Sequence, residues 1–580
     1  MFLVLLETSG NQNFIFSTNK LRENVGASEL TYLVGTKWLL EIVEELRQNP
    51  GQDLDFSNEA LRQYLGDPSR NPPIETNSTS VEIVIAASGK ALLLARDEPT
   101  AQRIIRQATH KTQKHALGVD LCGVYCEFEW GKQGGIGGAI PTIYKRFEEH
   151  RTRIPSPQLR FLRLPIVQEC STSGFPASCL SNTPDGNHFP LSAVSACKRK
   201  FSQVALRRMR KIIPDGSQHR LARSVNELEQ RFGAEALDWL AVVHADGNGL
   251  GEIFLNFQQH LQDRSDDREY IDKLRRFSIA LDTCTENAFR SALEVFPADA
   301  QTGILPVVPI VLGGDDLTVI CDGRRGLEFT QKFLQAFESQ TQRQDIQGGI
   351  VPEILQCGSG ANRLSACAGV AIIKPHFPFS AAYELAETAI EQAKRVKTQL
   401  RYNGHPLPCS ALDFHVLRDA SSFDLESIRE HLTADGGSTK LYNRPYVVTD
   451  LAQLAGAAGE AWADFHHWSG FCQRVQAIQN SRQESGQDAL GGELPIGQIN
   501  TLRASAYWGR EYAESQYRQI RQRYDPDLLQ AALEKGSNGT LFAPEPDAEG
   551  TYAAEFLDAL EATEFCPPAP AAKQLPCPLP

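Results

Sequence analysis

Val307-Val-Pro-Ile-Val-Leu-Gly-Gly-Asp-Asp-Leu-Thr-Val-Ile-Cys321 decides the reading of this 580-residue chain. Two apolar, β-branched runs flank Gly313-Gly314, the pattern of a hairpin with a tight glycine turn. At its tip Asp315 and Asp316 stand side by side. Adjacent carboxylates repel each other unless a cation lies between them, and hard oxygen donors of this kind suit Mg²⁺ or Mn²⁺. Gly313 and Gly314 leave the backbone open to close approach by a phosphate chain.

A second acid-bearing strand end supports the first. Leu240-Ala-Val-Val-His-Ala-Asp-Gly-Asn-Gly-Leu-Gly251 is an apolar strand ending in Asp246, then a glycine-rich bend (Gly247, Asn248, Gly249) into a helix. The stretch between Asp246 and Asp315 has room for one long helix and a return strand. Were the two strands neighbours in one antiparallel sheet, the three carboxylates would converge as in two-metal nucleotidyl-transfer palms. A calcium loop starting at Asp246 fails at its fifth and twelfth positions, Leu250 and Phe257.

Length predicts three or four domains, each with its own core. A net charge of −13 excludes a global basic field, so any nucleic-acid contact must come from local patches. The N-terminal Met-Phe-Leu-Val-Leu-Leu lacks a basic flank and reads as a first strand rather than a signal peptide. No apolar stretch approaches a membrane span. Thirteen scattered cysteines, several inside apolar strands, fit a reduced cytoplasmic protein.

The order strand (Trp239–Ala245), glycine bend, helix, acidic hairpin, helix (Gly326–Gln342), strand (Leu364–Lys374), helix (Phe379–Val396) has an echo upstream. There the order is strand Phe2–Leu6, amphipathic helix Ala27–Gln48, hairpin Val81–Ala95 turning at Ala87-Ser88-Gly89-Lys90, helix Pro99–His115 and strand Gly118–Phe128. The first copy has Ser-Gly-Lys where the second has Gly-Gly-Asp-Asp. Its metal site is lost, which leaves it to bind a nucleotide or to pair with its twin.

The expected organisation is α+β. A degenerate first palm spans 1–150, a cysteine-bearing linker 151–225, a second palm 226–420, a helical C-terminal domain 421–545, and a disordered Pro-rich tail 546–580. In the linker, Cys170, Cys179, His188 and Cys197 raise a Zn²⁺ site, against which Ser173 stands in the second slot of a Cys-x₂-Cys pair. Lys198–Lys211 carries seven basic residues with an apolar stripe at helical spacing. It reads either as a solvated surface helix or as a contact for RNA or a partner. Trp462, Phe465, Trp468 and Phe471 are spaced to line a helical core.

These residues together resemble the large palm-domain subunit of type III CRISPR effector complexes, the polymerase that makes cyclic oligoadenylates. The resemblance is carried by Gln12–Ser28, by Cys170-Ser-Thr-Ser-Gly-Phe-Pro-Ala177, by the Gly-Gly-Asp-Asp hairpin, and by Ala368–Ala386, Ala393-Lys394 and Ser410–Val416. It implies two ferredoxin-like palms facing each other. The second would hold two Mg²⁺ or Mn²⁺ ions on Asp246, Asp315, Asp316 and the Gly247 carbonyl. Gly313, Gly314, Gly247, Asn248, Gly249 and Lys394 would meet the ATP substrate, with Lys394 on its triphosphate. The implied partners are guide RNA, target RNA, and CRISPR backbone and small subunits, with no membrane. Many members begin with a nuclease domain bearing an adjacent His-Asp pair. No His-Asp dipeptide occurs in this sequence, so deoxyribonuclease activity is not expected. Two alternatives remain at this point: a stand-alone diguanylate-type cyclase acting on GTP, and a non-catalytic scaffold subunit.

Overall fold

A computed structural model describes the chain except residues 48–56, 76–78, 133, 154, 156–159, 183–186, 214–218, 225–226, 229–237, 262, 264–265, 299–302, 359, 403, 419–423, 484–495, 536–538 and 567–580. Its framework is two sheets with a common plan. The first is built from β1 (Phe2–Ser9), β2 (Val81–Ala87), β3 (Lys90–Ala95) and β4 (Asp120–Glu127), in the order β2-β3-β1-β4. Its helices are α1 (Leu21–Gly35), α2 (Lys37–Leu46), α3 (Asn58–Gly66), α4 (Glu98–His115) and α5 (Gly135–Arg151).

The linker supplies a hairpin, β5 (Ala177–Asn182) and β6 (His188–Ser192), and α6 (Ala193–Arg210), which starts on the Ser192 side chain as N-cap. The second sheet contains β7 (Leu240–Gly247), β8 (Val307–Gly313), β9 (Asp316–Asp322), β10 (Ala366–Ile373), β11 (Ala411–Val416) and β12 (Tyr446–Val447). Their order is β8-β9-β7-β10-β11-β12. Helices α7 (Asp267–Leu293), α8 (Gly326–Thr341) and α9 (Phe379–Ala393) pack on this sheet. β10 is a continuous apolar run, and β7 is one from Leu240 to Val243, because both of their faces are covered. Gly369 in β10 lets α9 press onto the strand: a Cβ there would lie 1.8 Å from the Ala386 carbonyl oxygen.

The first four strands of each sheet correspond residue by residue. β2 and β3 close on Ala87↔Lys90, and β8 and β9 close on Gly313↔Asp316. Each hairpin has one bulged residue, Val84 or Ile310, three positions before the closing residue. Leu6 of β1 pairs with Ala91 and Gly123; Ala245 of β7 pairs with Leu317 and Ala368. The echo read from element order is therefore also one of register. The two units pack reciprocally, α7 of the second on β2 of the first and α1 of the first on β8 of the second.

Four expectations need correction. The helix expected over Ala27–Gln48 is two helices, broken at Thr36, and Gln48 lies outside the described residues. The break follows from packing: α1 is buried on nearly all sides, and a Cβ on Gly35 would meet the Ala87 carbonyl oxygen at 2.1 Å.

Lys198–Lys211 is neither a solvated face nor one continuous contact surface. Lys198 is 1% exposed, donating to the Phe14 carbonyl and to Ser17 Oγ. Arg199 pairs with Glu23 at 2.8 Å and Arg208 with Glu29 at 2.9 Å. Only Lys200, Arg207, Arg210 and Lys211 stand exposed among its cations.

The boundary at 420 does not separate a purely helical domain, since β12 pairs with β11 of the second sheet. Beyond it, α10 (Trp468–Gln483), α11 (Ile496–Ala506), α12 (Arg510–Arg521) and α13 (Pro526–Ala532) are joined by a small four-stranded sheet that includes Tyr552–Ala553.

The tail is not disordered from 546. α14 (Phe556–Ala562) buries Phe556, Ala559 and Ala562, and Phe565 beyond it is also buried. Asp558 of α14 accepts from the Tyr446 hydroxyl at 2.9 Å and pairs with Arg444. Residues 567–580 lie outside the described residues.

Candidate active site between the palms

Asp246 ends β7, and Asp315 and Asp316 occupy the turn and first residue of the neighbouring β9 hairpin. Antiparallel pairing of β9 with β7 brings one oxygen from each of the three carboxylates within 4.8 Å of the others. Among the described residues this is the one cluster of three or more acidic, histidine or cysteine side chains placed to hold a metal ion. Burial, then the Asp246 carboxylate, pushes the Asp315 carboxyl up to about 7. Asp316 is raised well above the usual carboxylate range by burial and then by Asp315. Its side chain is exposed on the cleft, so water screens part of that repulsion. Three mutually repelling hard oxygen donors fit Mg²⁺ or Mn²⁺.

Lys394, the residue that caps the C-terminus of α9, pairs its Nζ with Asp246 Oδ2. Gly247 is required by contact: a Cβ there would lie 2.9 Å from Asp315 Cβ and 2.4 Å from Leu250 Cδ1. Gly314 (φ 64°) and Gly249 (φ 76°) take left-handed backbone, the first at the hairpin turn and the second where the bend enters the short helix Leu250–Leu255.

Asn248 departs from its expected role. Its amide turns from the cleft to donate to Ser365 Oγ (3.1 Å), Cys367 Sγ (3.3 Å) and the Cys409 carbonyl (3.2 Å). It anchors the bend to β10 and to the segment just before β11, and it is not among the residues that line the cleft.

Several residues without a local sequence signal complete the site. Asp282 and Thr285 of α7 hold the hairpin turn, Asp282 Oδ1 accepting from Gly314 N at 3.2 Å and Thr285 Oγ1 donating to Gly314 O at 2.6 Å. Arg62 of α3, from the other palm, lies 3.3 Å from Asp282 and 2.7 Å from Glu286. Beneath the carboxylates, buried His244 is held neutral, its pKa lowered to about 4 by burial, and contacts Thr318 Oγ1 at 3.0 Å. Tyr383 stacks on Phe16 at 3.7 Å, and Gln12 Nε2 donates to Glu387 at 2.7 Å, tying the Gln12–Ser28 segment to α9.

The carboxylates and Lys394 line a cavity of about 590 Å³ whose other wall comes from the first palm, including Ser88, Lys90 and Arg62. The hairpin tips meet there: a Cβ on Gly313 would lie 3.9 Å from Ser88 Cβ.

The linker cysteines form no comparable cluster among the described residues. Cys170 Sγ contacts the hydroxyls of Thr172 and Ser195 at 3.4 and 3.6 Å, Cys197 Sγ contacts the His115 carbonyl, and Cys179 is exposed. Cys170, Cys179, His188 and Cys197, which raised a doubtful Zn²⁺ site, are not brought to one point among the described residues. No described helix is long and apolar enough to cross a membrane.

The profile of the Cas10/Cmr2 second palm domain matches residues 239–401. Similar solved structures include the Csm1-Csm4 cassette in complex with AMPPNP, at 12% identity over 91% of this chain and 63% of that chain, with a TM-score of 0.44. The same cassette in complex with one ATP is 12% identical over 98% of this chain and 70% of that chain, at a TM-score of 0.46. Csm1 of T. onnurineus is 13% identical, covering 91% and 63%, at 0.43. The chain therefore spans about two thirds of the length of these structures. No curated protein matches it in sequence. The matched segment contributes β7, the acidic hairpin and Lys394: over residues 239–401 the chain is similar to the second palm domain of the Cas10/Cmr2 family.

Proposed function

We propose that this chain is a nucleotidyltransferase that joins ATP into cyclic oligoadenylates, acting as the signalling subunit of an RNA-guided type III CRISPR complex. The observation that carries the reading is the convergence of Asp246, Asp315 and Asp316 on the wall of a cleft shared by two palms. Two Mg²⁺ or Mn²⁺ ions held by these carboxylates and the Gly247 carbonyl would acidify a ribose 3′-hydroxyl and neutralise a triphosphate and its leaving pyrophosphate.

The protein's own residues do the rest. Gly313 and Gly314 present bare backbone to the phosphates, and Asp282 and Thr285 fix the turn that carries the acids. Once Asp246 is engaged elsewhere, Lys394 offers a movable ammonium to the triphosphate. The first palm faces the second across the cleft and so positions a second nucleotide for in-line attack. Because both palms lie in one chain and touch tip to tip, the geometry favours this reading over a GTP cyclase built from two identical chains. Guide and target RNA, with backbone and small subunits, would control turnover.

The test is incubation of the purified chain with each labelled nucleotide and Mn²⁺. ATP is the expected substrate, and Asp315→Ala with Asp316→Ala should lower the rate on the order of a thousandfold or more. Undiminished product from the double variant would remove the site assignment, and cyclic product from GTP alone would favour the diguanylate-type reading.

A further inference from the structure

The register shared by the two sheets identifies what replaced the acids in the first palm. Ala245↔Leu317 and Leu6↔Ala91 are equivalent pairs, each one residue along from the hairpin's closing pair. Asp246 of β7 therefore corresponds to Glu7 of β1, Asp315 to Gly89, and Asp316 to Lys90. The first palm keeps one strand-end carboxylate and puts an ammonium where the second has its outer acid. Lys90 Nζ lies 3.4 Å from Glu7 Oε2 and 4.7 Å from the centre of the Tyr144 ring. It lines the same cavity as Asp315 and Asp316.

An ammonium has three donors, and Glu7 and the Tyr144 side chain engage two, which leaves one for a phosphate oxygen. The first palm's share of the cavity wall includes the polar, uncharged Asn11, Gln12, Thr31 and Ser88, with Arg62 its other cation. Gly89 is held by its neighbours, its N–H donating to Thr31 O at 3.0 Å and its carbonyl accepting from Thr8 N at 2.8 Å. The hairpin therefore presents Lys90 from a fixed turn.

We propose that Lys90 is a resident cation that stands in for a metal ion, so that the first palm holds the phosphates of a nucleotide without any divalent ion. This rests on the nucleotide reading of the cleft. Its consequence is asymmetric metal dependence: the nucleotide on the Asp246–Asp315–Asp316 side needs Mg²⁺ or Mn²⁺, while the one on the Lys90 side does not. Glu7 competes with the phosphate for the ammonium, which makes the two partners opposite in sign.

Binding of the β,γ-imido analogue of ATP to the full chain, by calorimetry with EDTA or with Mg²⁺, tests this. The wild type is expected to bind one equivalent in EDTA and a second in Mg²⁺. Lys90→Gln should weaken the EDTA-resistant event about ten- to a hundredfold, the scale of one charge-assisted hydrogen bond. Glu7→Gln should strengthen it several-fold. A gain from Glu7→Gln cannot come from misfolding, and thermal melts in parallel exclude misfolding for Lys90→Gln. Two equivalents in Mg²⁺ but none in EDTA, or EDTA-resistant binding indifferent to Lys90→Gln, would overturn the assignment of Lys90 and leave the nucleotide reading standing. No binding in either buffer would overturn that reading and this assignment with it.

Discussion

Asp315→Asn tests the charge logic of the hairpin tip while keeping its shape. Burial and the Asp246 carboxylate hold the Asp315 carboxyl up at about 7, against about 3.9 in an unfolded chain. The folded protein thus keeps a proton that the unfolded chain has already released, and stability falls as pH rises from about 4 to about 7 and stays low above that. Three units at about 1.4 kcal/mol each bound the loss at about 4 kcal/mol. The side chain opens on the cleft, so about 2 kcal/mol is the working figure. Asparagine carries no charge at any of these pH values. Asp315→Asn is therefore expected to melt several degrees above the wild type at pH 8 in EDTA, at roughly 2–4 °C per kcal/mol for the transition of a unit the size of the second palm. The gap should shrink at pH 5. Added Mg²⁺ at pH 8 should close it by stabilising the wild type alone. Differential scanning fluorimetry across pH, with and without Mg²⁺, reads all three. A variant that melts no higher than the wild type at pH 8, or a gap equal at both pH values, would refute the repulsion argument.

Asp246→Asn keeps the shape of the side chain but loses its charge, and should lower ATP turnover on the order of a thousandfold, followed by chromatography of labelled products; retained activity would take β7 out of the site. Asp282→Ala removes the acceptor of Gly314 N–H and one of the two carboxylates beside Arg62, with an expected cost of about 1–3 kcal/mol in chemical denaturation. Reversing the exposed Lys200, Arg207 and Arg210 to Glu should leave the melt unchanged and weaken RNA retention in filter binding at low salt, whereas Arg208→Glu should unfold the protein by placing two buried acids together. Phe556→Ala, in the segment first read as tail, is expected to cost about 3–5 kcal/mol.

Charge density was readable in Lys198–Lys211, but its use was not. Lys198 and Arg208 are satisfied by Phe14, Ser17 and Glu29, more than 170 positions away, and no local pattern encodes partners at that distance. The tail shows the same limit. Proline-rich composition at the extreme end hides Phe556–Ala562, a helix of about two turns whose Asp558 accepts from Tyr446 and pairs with Arg444, more than 110 positions away. Asn248 was read from its place in a glycine bend, which said nothing about the direction in which its amide would point.

The sequence by itself determined the strands and the placing of the three acids at their ends. Strands buried on both faces are built mainly from apolar residues, and adjacent carboxylates behind glycines at a strand end repel each other unless a cation lies between them. The duplication was likewise visible as element order. Tertiary structure alone decided the match in register that sets Lys90 against Asp316, the clamp of Asp282, Thr285 and Arg62 on the turn, and the cleft itself. Each of these joins groups from different palms or distant helices. Such contacts follow from how two packed layers dock, and docking depends on the summed shape of both surfaces, which no short stretch of the chain contains.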